Sequence, residues 1–285
     1  MFSKILALSS LLFPLLCGQV FAAPLPQSAA VPGGVVIVNL GNGAIAPVAH
    51  FQKKRVMVLA ADKQWQAVVG IPLSTKAGTH TLQVEGASRP YPFQVHDKQY
   101  AEQRLTIKNK RQVNPNAEDM KRIRSESGRI NKALREWNME ENINTRFSLP
   151  VAGRLSSPFG LRRFFNEQPR KPHSGIDIAA PAGTPIQAPA AGRIVEIGEF
   201  FFNGNSVFID HGQGLVTMYN HMQDIHVELG QSLIRGEIIG TIGQSGRVTG
   251  PHLHWGVSLN DARIDPALFF DDLNALLIKK TVSTQ

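Results

Sequence analysis

The chain has 285 residues and a formal net charge of +8, from 30 Lys and Arg against 22 Asp and Glu. This length suggests about two domains. A hydrophobic fraction of 42% is enough to build a core, and a charged fraction of 18% argues against a disordered or acidic tail-like protein. The 25 Gly and 18 Pro indicate many turns, which disfavours helix bundles and coiled coils.

The amino-terminal segment has the features of a secretory signal peptide. Lys4 is a basic n-region, the stretch from Ile5 to Leu16 is mostly apolar, and Val20-Phe21-Ala22 offers small residues for cleavage. The apolar stretch is shorter than the roughly 20 residues that span a bilayer. We therefore expect residues 1–22 to be removed and the protein to be exported without a transmembrane segment. Cys17, the only cysteine, leaves with this segment, which excludes disulfides and a cysteine nucleophile.

From Val31 to about Lys108 the chain shows short β-like runs separated by turns. Runs at this spacing without helical periodicity predict a small β-sandwich over residues 23–108. The predicted strands are Val35–Leu40, Arg55–Ala60, Trp65–Leu73, Gly78–Val84, Tyr91–Val95 and Arg104–Ile107.

A helical connector is predicted over residues 109–146. Asn116 can cap its start, while Gly128 weakens its middle, so one bent helix and two short ones are both compatible with the pattern. No aromatic residues interleave with the basic residues of this segment, which argues against nucleic acid as a partner. The apolar residues that recur at helical spacing are Met120, Ile123, Ile130, Leu134 and Trp137.

Residues 147–275 are again β-rich and dense in glycine. Gly212-Gln213-Gly214 predicts a hairpin turn, and Leu268–Lys279 a short helix that runs into a carboxy-terminal tail, residues 276–285. Six of the nine histidines fall in this half, and this asymmetry is the main functional signal. The predicted strands are Arg193–Ile197, Ser206–Asp210, Val216–Tyr219, Glu237–Ile242 and Leu253–Leu259.

Three histidine-containing segments carry the chemistry. In Lys-Pro-His-Ser-Gly-Ile-Asp, His173 and Asp177 lie four residues apart, but the proline and glycine argue against a helix, so the two must converge from a loop and a strand end. In Pro-His-Leu-His-Trp-Gly, His252 and His254 point to one face if the segment is a strand. His221 follows the end of a predicted strand in Tyr-Asn-His-Met.

Together these residues indicate a catalytic zinc site. Imidazole and carboxylate suit zinc, and a catalytic site uses three protein ligands with an open position. Four histidines and one aspartate exceed that need by two, and spare imidazoles beside a metal are what acid–base chemistry near neutral pH requires. Spacing alone does not decide which of His252 and His254 binds the metal.

The chain resembles the M23 (lysostaphin- or LytM-type) zinc metallopeptidases of bacterial cell walls. The resemblance runs from Ser-Pro-Phe-Gly at Ser157 through His-Ser-Gly-Ile-Asp and Tyr-Asn-His to Gly-Pro-His-Leu-His-Trp-Gly. It implies a mainly β chain: an N-terminal small β-sandwich, a helical connector, and an antiparallel β-sheet peptidase domain over residues 147–275 with a zinc-containing groove. It further implies one Zn²⁺ per chain, with His173, Asp177 and His254 as metal ligands and His221 and His252 as catalytic residues.

The function expected from this resemblance is that of an exported zinc endopeptidase acting on the peptide moiety of peptidoglycan, with the periplasm favoured as its location. One alternative is a wall-binding regulator that activates another hydrolase, and the complete ligand set argues against it. Another is a zinc hydrolase of a different exported substrate. Arg162 and Arg163 either meet a substrate carboxylate or lie in solvent.

The amino-terminal half carries no chemistry of its own, so we expect it to act by position. One hypothesis is that residues 23–144 dock near the groove and restrict access to zinc, with the connector as a movable link weakened at Gly128. The competing hypothesis is that this half binds the wall and raises activity by tethering.

Overall fold

The computed structural model describes residues 24–140 and 143–270. The predicted signal peptide, the predicted tail and most of the predicted helix Leu268–Lys279 lie outside these residues. The first half contains β1 (Val35–Gly41), β2 (Ala49–Phe51), β3 (Lys54–Arg55), β4 (Met57–Ala61), β5 (Gln64–Gly70), β6 (Gly78–Val84), β7 (Tyr91–Val95), β8 (Glu102–Leu105), α1 (Lys110–Val113) and α2 (Ala117–Ala133). The second contains β9 (Arg154–Ser157), β10 (Arg162–Phe165), β11 (Gln168–Pro169), β12 (Ile176–Ala179), β13 (Pro185–Gln187), β14 (Gly192–Phe200), β15 (Gly204–Asp210), β16 (Leu215–Ile225), β17 (Ser232–Leu233), β18 (Ile238–Ile242), β19 (Leu253–Leu259), β20 (Ala262–Ile264) and a 3₁₀ turn at Pro266–Phe269.

The predicted mainly β fold and its amino-terminal β-sandwich are confirmed, but the last predicted sandwich strand, Arg104–Ile107, is wrong: it is observed as β8 and pairs in parallel with β10 of the second half, in the separate sheet β11-β10-β8. A three-stranded antiparallel sheet, β1-β5-β4, packs against a four-stranded sheet, β3-β2-β6-β7. Their shared core is formed by buried aliphatic and aromatic side chains, including Val38, Val58, Val69, Phe51, Leu82 and Phe93.

The sheet β1-β5-β4 is buried on both faces. Val58 and Ala67 pair across β4 and β5 and face the sandwich core, whereas the next pair, Met57 and Val68, joins the core of the carboxy-terminal half. Successive residues of a strand point to opposite faces, so a continuous apolar run is needed to fill both cores. A pair of hydrogen bonds also joins the two halves. The side chain of Asn260 donates to Gly70 O at 3.0 Å and accepts from Gly70 N at 2.7 Å.

The connector contains one continuous helix and a short helical turn. Asn116 caps α2 through a capping box with Asp119, as the sequence predicts. The helix passes through Gly128 unbroken and ends at Ala133, so Trp137 is not on it. Gly128 faces open space, and the roughly 1 kcal/mol that an exposed glycine costs does not break a helix held along its length.

The carboxy-terminal half is built around one large antiparallel sheet. Its strand order is β17-β14-β15-β16-β19-β12-β9, with β13 joined through β18 and β20 added beside β19. The predicted hairpin between β15 and β16 is present, with positive φ angles of 103° at Gly212 and 78° at Gly214. One face packs on the main core through Trp255, Tyr219 and Leu253, which are fully buried.

The helix α2 covers part of the opposite face. Its last residue, Ala133, and the C-cap residue Leu134 pack against buried side chains of β14, β15 and β16. Ion pairs fix it along β14: Arg129 Nη2 lies 2.7 Å from Glu196 Oε1, and Arg122 Nη2 lies 2.9 Å from Glu199 Oε2. The connector therefore occupies one side of the sheet face opposite the main core.

Candidate active site

The central strand β19 and its two neighbours align three polar side chains. His254 pairs with Asp177 of β12 on one side and with Asn220 of β16 on the other. Directly paired residues of antiparallel strands project to the same face, so all three side chains point to the sheet face opposite the main core. The ladder thus fixes two of the predicted ligands relative to each other without any help from a loop.

His173 reaches the same point from the loop before β12. Its Nδ1 donates to Pro158 O at 2.7 Å. The lone pair of Nε2 is therefore left to face Asp177 and His254. Such a carbonyl partner fixes the tautomer and orientation of a metal-binding histidine. Pro158 belongs to the Ser-Pro-Phe-Gly segment, so this segment orients a predicted ligand.

The three predicted ligand atoms form a small triangle. His173 Nε2 lies 2.9 Å from Asp177 Oδ1 and 3.0 Å from His254 Nδ1, and Asp177 Oδ1 lies 2.8 Å from His254 Nδ1. Among the described residues, this is the group that could hold a metal ion. Two lone-pair atoms, His173 Nε2 and Asp177 Oδ1, face each other here, and a bound cation would stabilise that arrangement. The donor set of two nitrogens and one oxygen fits catalytic zinc, which leaves the fourth position open.

His221 lies at a β-bulge. Between the pairs Asn205–Met222 and Val207–Tyr219, β16 has two residues where β15 has one, and His221 adopts a φ of 65°. Bulges redirect side chains and are common beside active sites. Nδ1 of His221 donates to Ser245 O at 2.9 Å, so Nε2 is left as an acceptor.

His252 precedes β19 and lies beside His221. Its Nδ1 donates to Gly250 O at 2.9 Å, and its Nε2 lies 3.9 Å from Asp177 Oδ1. The rings of His221 and His252 are 4.9 Å apart between centroids, and those of His173 and His254 are also 4.9 Å apart. The structure therefore brings all five predicted site residues together, with two imidazoles next to the triangle.

Burial controls the protonation of this cluster. Burial lowers the pKa of His254 to about 4, and burial with the nearby His254 and His252 lowers the pKa of His221 to about 3. Burial alone would raise the pKa of Asp177, but its contacts with His173 and His254 hold that pKa well below the usual value. Neutral imidazoles beside an ionised carboxylate are the forms that metal binding requires.

Several residues of the site were not singled out by sequence reasoning. Asn220 Oδ1 is buried without a hydrogen-bond partner, in the same row as His254. Ser245 O orients His221. Arg163, left open between substrate and solvent, lies with its Nη2 3.2 Å from Asp177 Oδ2, whereas Arg162 is 3.4 Å from Glu102 at the surface. Asn220 could have been found from its place in the Tyr-Asn-His motif. The role of Ser245 could not, because a main-chain carbonyl leaves no signal in the sequence.

An antiparallel sheet that presents a His-Asp-His triangle with two further histidines beside it defines a metallohydrolase type of site. Residues 171–266 match Peptidase family M23, and residues 28–98 match the Peptidase family M23 N-terminal domain. A crystal structure from Pseudomonas aeruginosa assigned to peptidase M23 is 45% identical, with a TM-score of 0.71 over 84% of this chain and 94% of that one. The chain belongs to the M23 peptidase family, and the resemblance read from its motifs is confirmed.

Curated relatives match up to half of the chain. The DD-carboxypeptidase/endopeptidase Mpg of Neisseria meningitidis is 38% identical over 141 residues, which is 50% of this chain and 31% of the relative. The peptidoglycan DD-endopeptidase ShyC of Vibrio cholerae is 41% identical over 114 residues, 40% of this chain and 26% of the relative. The match thus spans less than a third of each of these relatives.

Within the described residues, no helix is long and apolar enough to cross a membrane.

Proposed function

We propose that this protein is a zinc metalloendopeptidase that hydrolyses peptide cross-links or stem peptides of peptidoglycan. The observation that carries the proposal is the triangle of His173 Nε2, Asp177 Oδ1 and His254 Nδ1 next to two imidazoles with free Nε2 atoms. These three residues would hold one Zn²⁺. Zinc supplies polarisation of the scissile carbonyl and a water molecule that is acidic near neutral pH.

The two remaining histidines divide the proton chemistry between them. His252 takes the proton from the attacking water at Nε2, because Gly250 O occupies its Nδ1 and the Nε2 side faces Asp177. Nε2 of His221 faces the carbonyl oxygen that becomes negative and can donate to it only once the ring has taken up a proton, because Nδ1 already donates to Ser245 O. A fixed donor at that position contributes roughly 3 kcal/mol. Ser245 O and the bulge in β16 hold that ring in place, so little reorganisation accompanies the reaction.

The metal ligand Asp177 is itself positioned by a cation. Arg163 Nη2 contacts Oδ2, the carboxylate oxygen outside the triangle, and thereby leaves Oδ1 for the metal. Partners of this type raise metal affinity by 10- to 100-fold in comparable sites. Arg163 thus belongs to the metal site and not to solvent.

The substrate and compartment follow from charge and from the relatives. Relatives named peptidoglycan DD-endopeptidases support a wall peptide as the substrate. The net charge of +8 favours encounter with a polymer rich in carboxylates. We place the protein outside the cytoplasm and favour the periplasm, since the amino-terminal segment has signal-peptide features.

Digestion of purified peptidoglycan tests the proposal. The full-length zinc-loaded protein should release cross-linked peptides with new amino termini within the stems, identified by mass spectrometry, and His252→Ala should serve as the inactive control. An unchanged muropeptide profile together with hydrolysis of an exported peptide would favour the non-wall hydrolase. Stimulation of a separate wall hydrolase by a protein that cleaves nothing would favour the regulator.

A further inference from the structure

Arg247 is an arginine beside the active site with no carboxylate partner among the described residues. It lies in the loop between β18 and β19, and its guanidinium carbon is 4.9 Å from the ring centroid of Phe165 and 4.3 Å from that of Phe202. Its Nη1 donates only to the main-chain oxygen of Gln112, at 3.2 Å. The two rings hold the guanidinium plane in one position, which suits recognition of a planar anion.

Arg170 is a second guanidinium without a carboxylate partner among the described residues. Its Nη2 donates to Val113 O at 2.9 Å and to the side-chain oxygens of Asn114 and Gln168, at 3.3 and 2.7 Å. Each of these acceptors is neutral. Burial, together with the charges of Arg163 and Arg170, lowers the pKa of Arg247 to about 10, so Arg247 and Arg170 are close enough for their positive charges to repel each other.

The two arginines lie close in sequence to residues of the proposed active site. Arg170 lies three residues before the predicted ligand His173, and Arg247 lies two residues after Ser245, whose carbonyl orients His221. They donate to consecutive main-chain carbonyls, Gln112 O and Val113 O, of one short segment. The short segment 112–113 is thus hydrogen-bonded by two cationic groups.

We propose that Arg247 and Arg170 form a carboxylate-binding subsite for the substrate peptide, and that the carbonyls of Gln112 and Val113 occupy it until substrate displaces them. The inference deepens the proposed peptidase function and rests on it. A carboxylate accepts two parallel hydrogen bonds from a guanidinium and neutralises its charge, which a main-chain carbonyl does not. The substrate selected is therefore a peptide with a free carboxylate near the scissile bond.

Two substrates and three variants test the subsite in the full-length zinc-loaded protein. The substrates are soluble cross-linked muropeptide dimers and the same dimers after chemical amidation of their carboxyl groups. Amidation should lower kcat/KM of the unaltered protein about 10- to 100-fold, the usual effect of removing a charged hydrogen-bond partner. Arg247→Gln should lose a similar factor on the native dimer and show little further loss on the amidated one. Arg170→Gln should also lower kcat/KM on the native dimer and reduce the discrimination between the two dimers.

The matched control is Arg193→Gln. Arg193 is exposed and donates to a main-chain carbonyl, Gly230 O, at 3.2 Å, as Arg247 does to Gln112 O. This variant should keep the full discrimination between the two dimers. Circular dichroism and zinc content confirm that each variant is folded, and Arg170→Gln keeps the test open if Arg247→Gln does not fold.

Each outcome decides one point. Equal cleavage of both dimers by the unaltered protein, or full discrimination by folded Arg247→Gln and Arg170→Gln, overturns the subsite and leaves the peptidase proposal intact. Absence of cleavage overturns the peptidase proposal, and fluorescence anisotropy with the same labelled dimers then decides the subsite. If the unaltered protein binds the carboxylate form more tightly and Arg247→Gln does not, the subsite is supported. Equal binding of both forms by the unaltered protein refutes the subsite.

Discussion

Asp177 and His254 lie directly opposite each other on adjacent antiparallel strands, with Asp177 Oδ1 2.8 Å from His254 Nδ1. Their relative position is set by the hydrogen-bond ladder, so these two predicted ligands are far apart in sequence but rigidly linked in space. His173 completes the triangle from a loop. The four-residue spacing of His173 and Asp177 therefore reflects a loop entering a strand, and no helix is involved.

Replacing a predicted ligand should remove zinc and activity together. His173→Ala and Asp177→Ala each delete one of three ligands, so metal content measured by atomic emission should fall well below one zinc per chain. His226→Ala, an exposed histidine outside the site, should keep both zinc and activity. Stoichiometric zinc in purified His173→Ala would refute the ligand assignment.

Replacing the two neighbouring histidines should separate zinc from activity. His221→Ala and His252→Ala remove proton-transfer groups, so kcat should fall about 10²- to 10⁴-fold while zinc content stays unchanged. Steady-state hydrolysis of soluble muropeptides, measured beside metal analysis, checks this. Loss of metal from either variant would mean that ligand and catalyst must be exchanged.

The stability of the contact between the two halves should depend on the side-chain amide of Asn260. Asn260→Ala leaves the buried N–H and C=O of Gly70 without partners, so the free energy of unfolding should fall by about 2–4 kcal/mol. Because φ is 46° at this position, Asn260→Gly is needed to separate backbone strain from lost hydrogen bonds. It should remain destabilised in urea denaturation, whereas the exposed Asn39→Ala should differ little. Near-native stability of Asn260→Gly would show that strain alone explains the alanine variant.

The segment α1 should limit access to the groove. Val113 is only 5% exposed, so a buried aspartate at this position should displace α1 from its packed position. Val113→Asp does this without replacing Arg170 or Arg247. If the amino-terminal half restricts access, this variant should hydrolyse soluble cross-linked fragments faster than the unaltered protein. Lys110→Asp, an exposed change in the same segment, serves as the control. An equal or lower rate in folded, zinc-loaded Val113→Asp would argue for the tethering hypothesis instead.

Motif content and strand periodicity predicted much of this arrangement. The strand Leu253–Leu259 was predicted at its observed bounds, and all five site residues were named from short motifs. The bulge at His221 was not predictable, since it arises from the register between β15 and β16 and not from either strand alone.

Other features were missed for different physical reasons. Arg247 and Arg170 lie in irregular segments, where no periodicity marks a residue for function. The short helix α1 is below the length at which helical periodicity can be read. The connector helix ends at Ala133 instead of continuing toward Asn144, because its apolar contacts end where Leu134 packs on the sheet.

The sheet β1-β5-β4, buried on both faces, makes the two halves one cooperative unit in unfolding. Detaching the sandwich would expose Met57, Leu59 and Val68 together with the residues that they cover. A calorimetric scan should therefore show a single transition, although the two family matches suggest separable modules. Any change in access to the predicted zinc site that keeps the protein folded should therefore leave the sandwich and the large sheet joined.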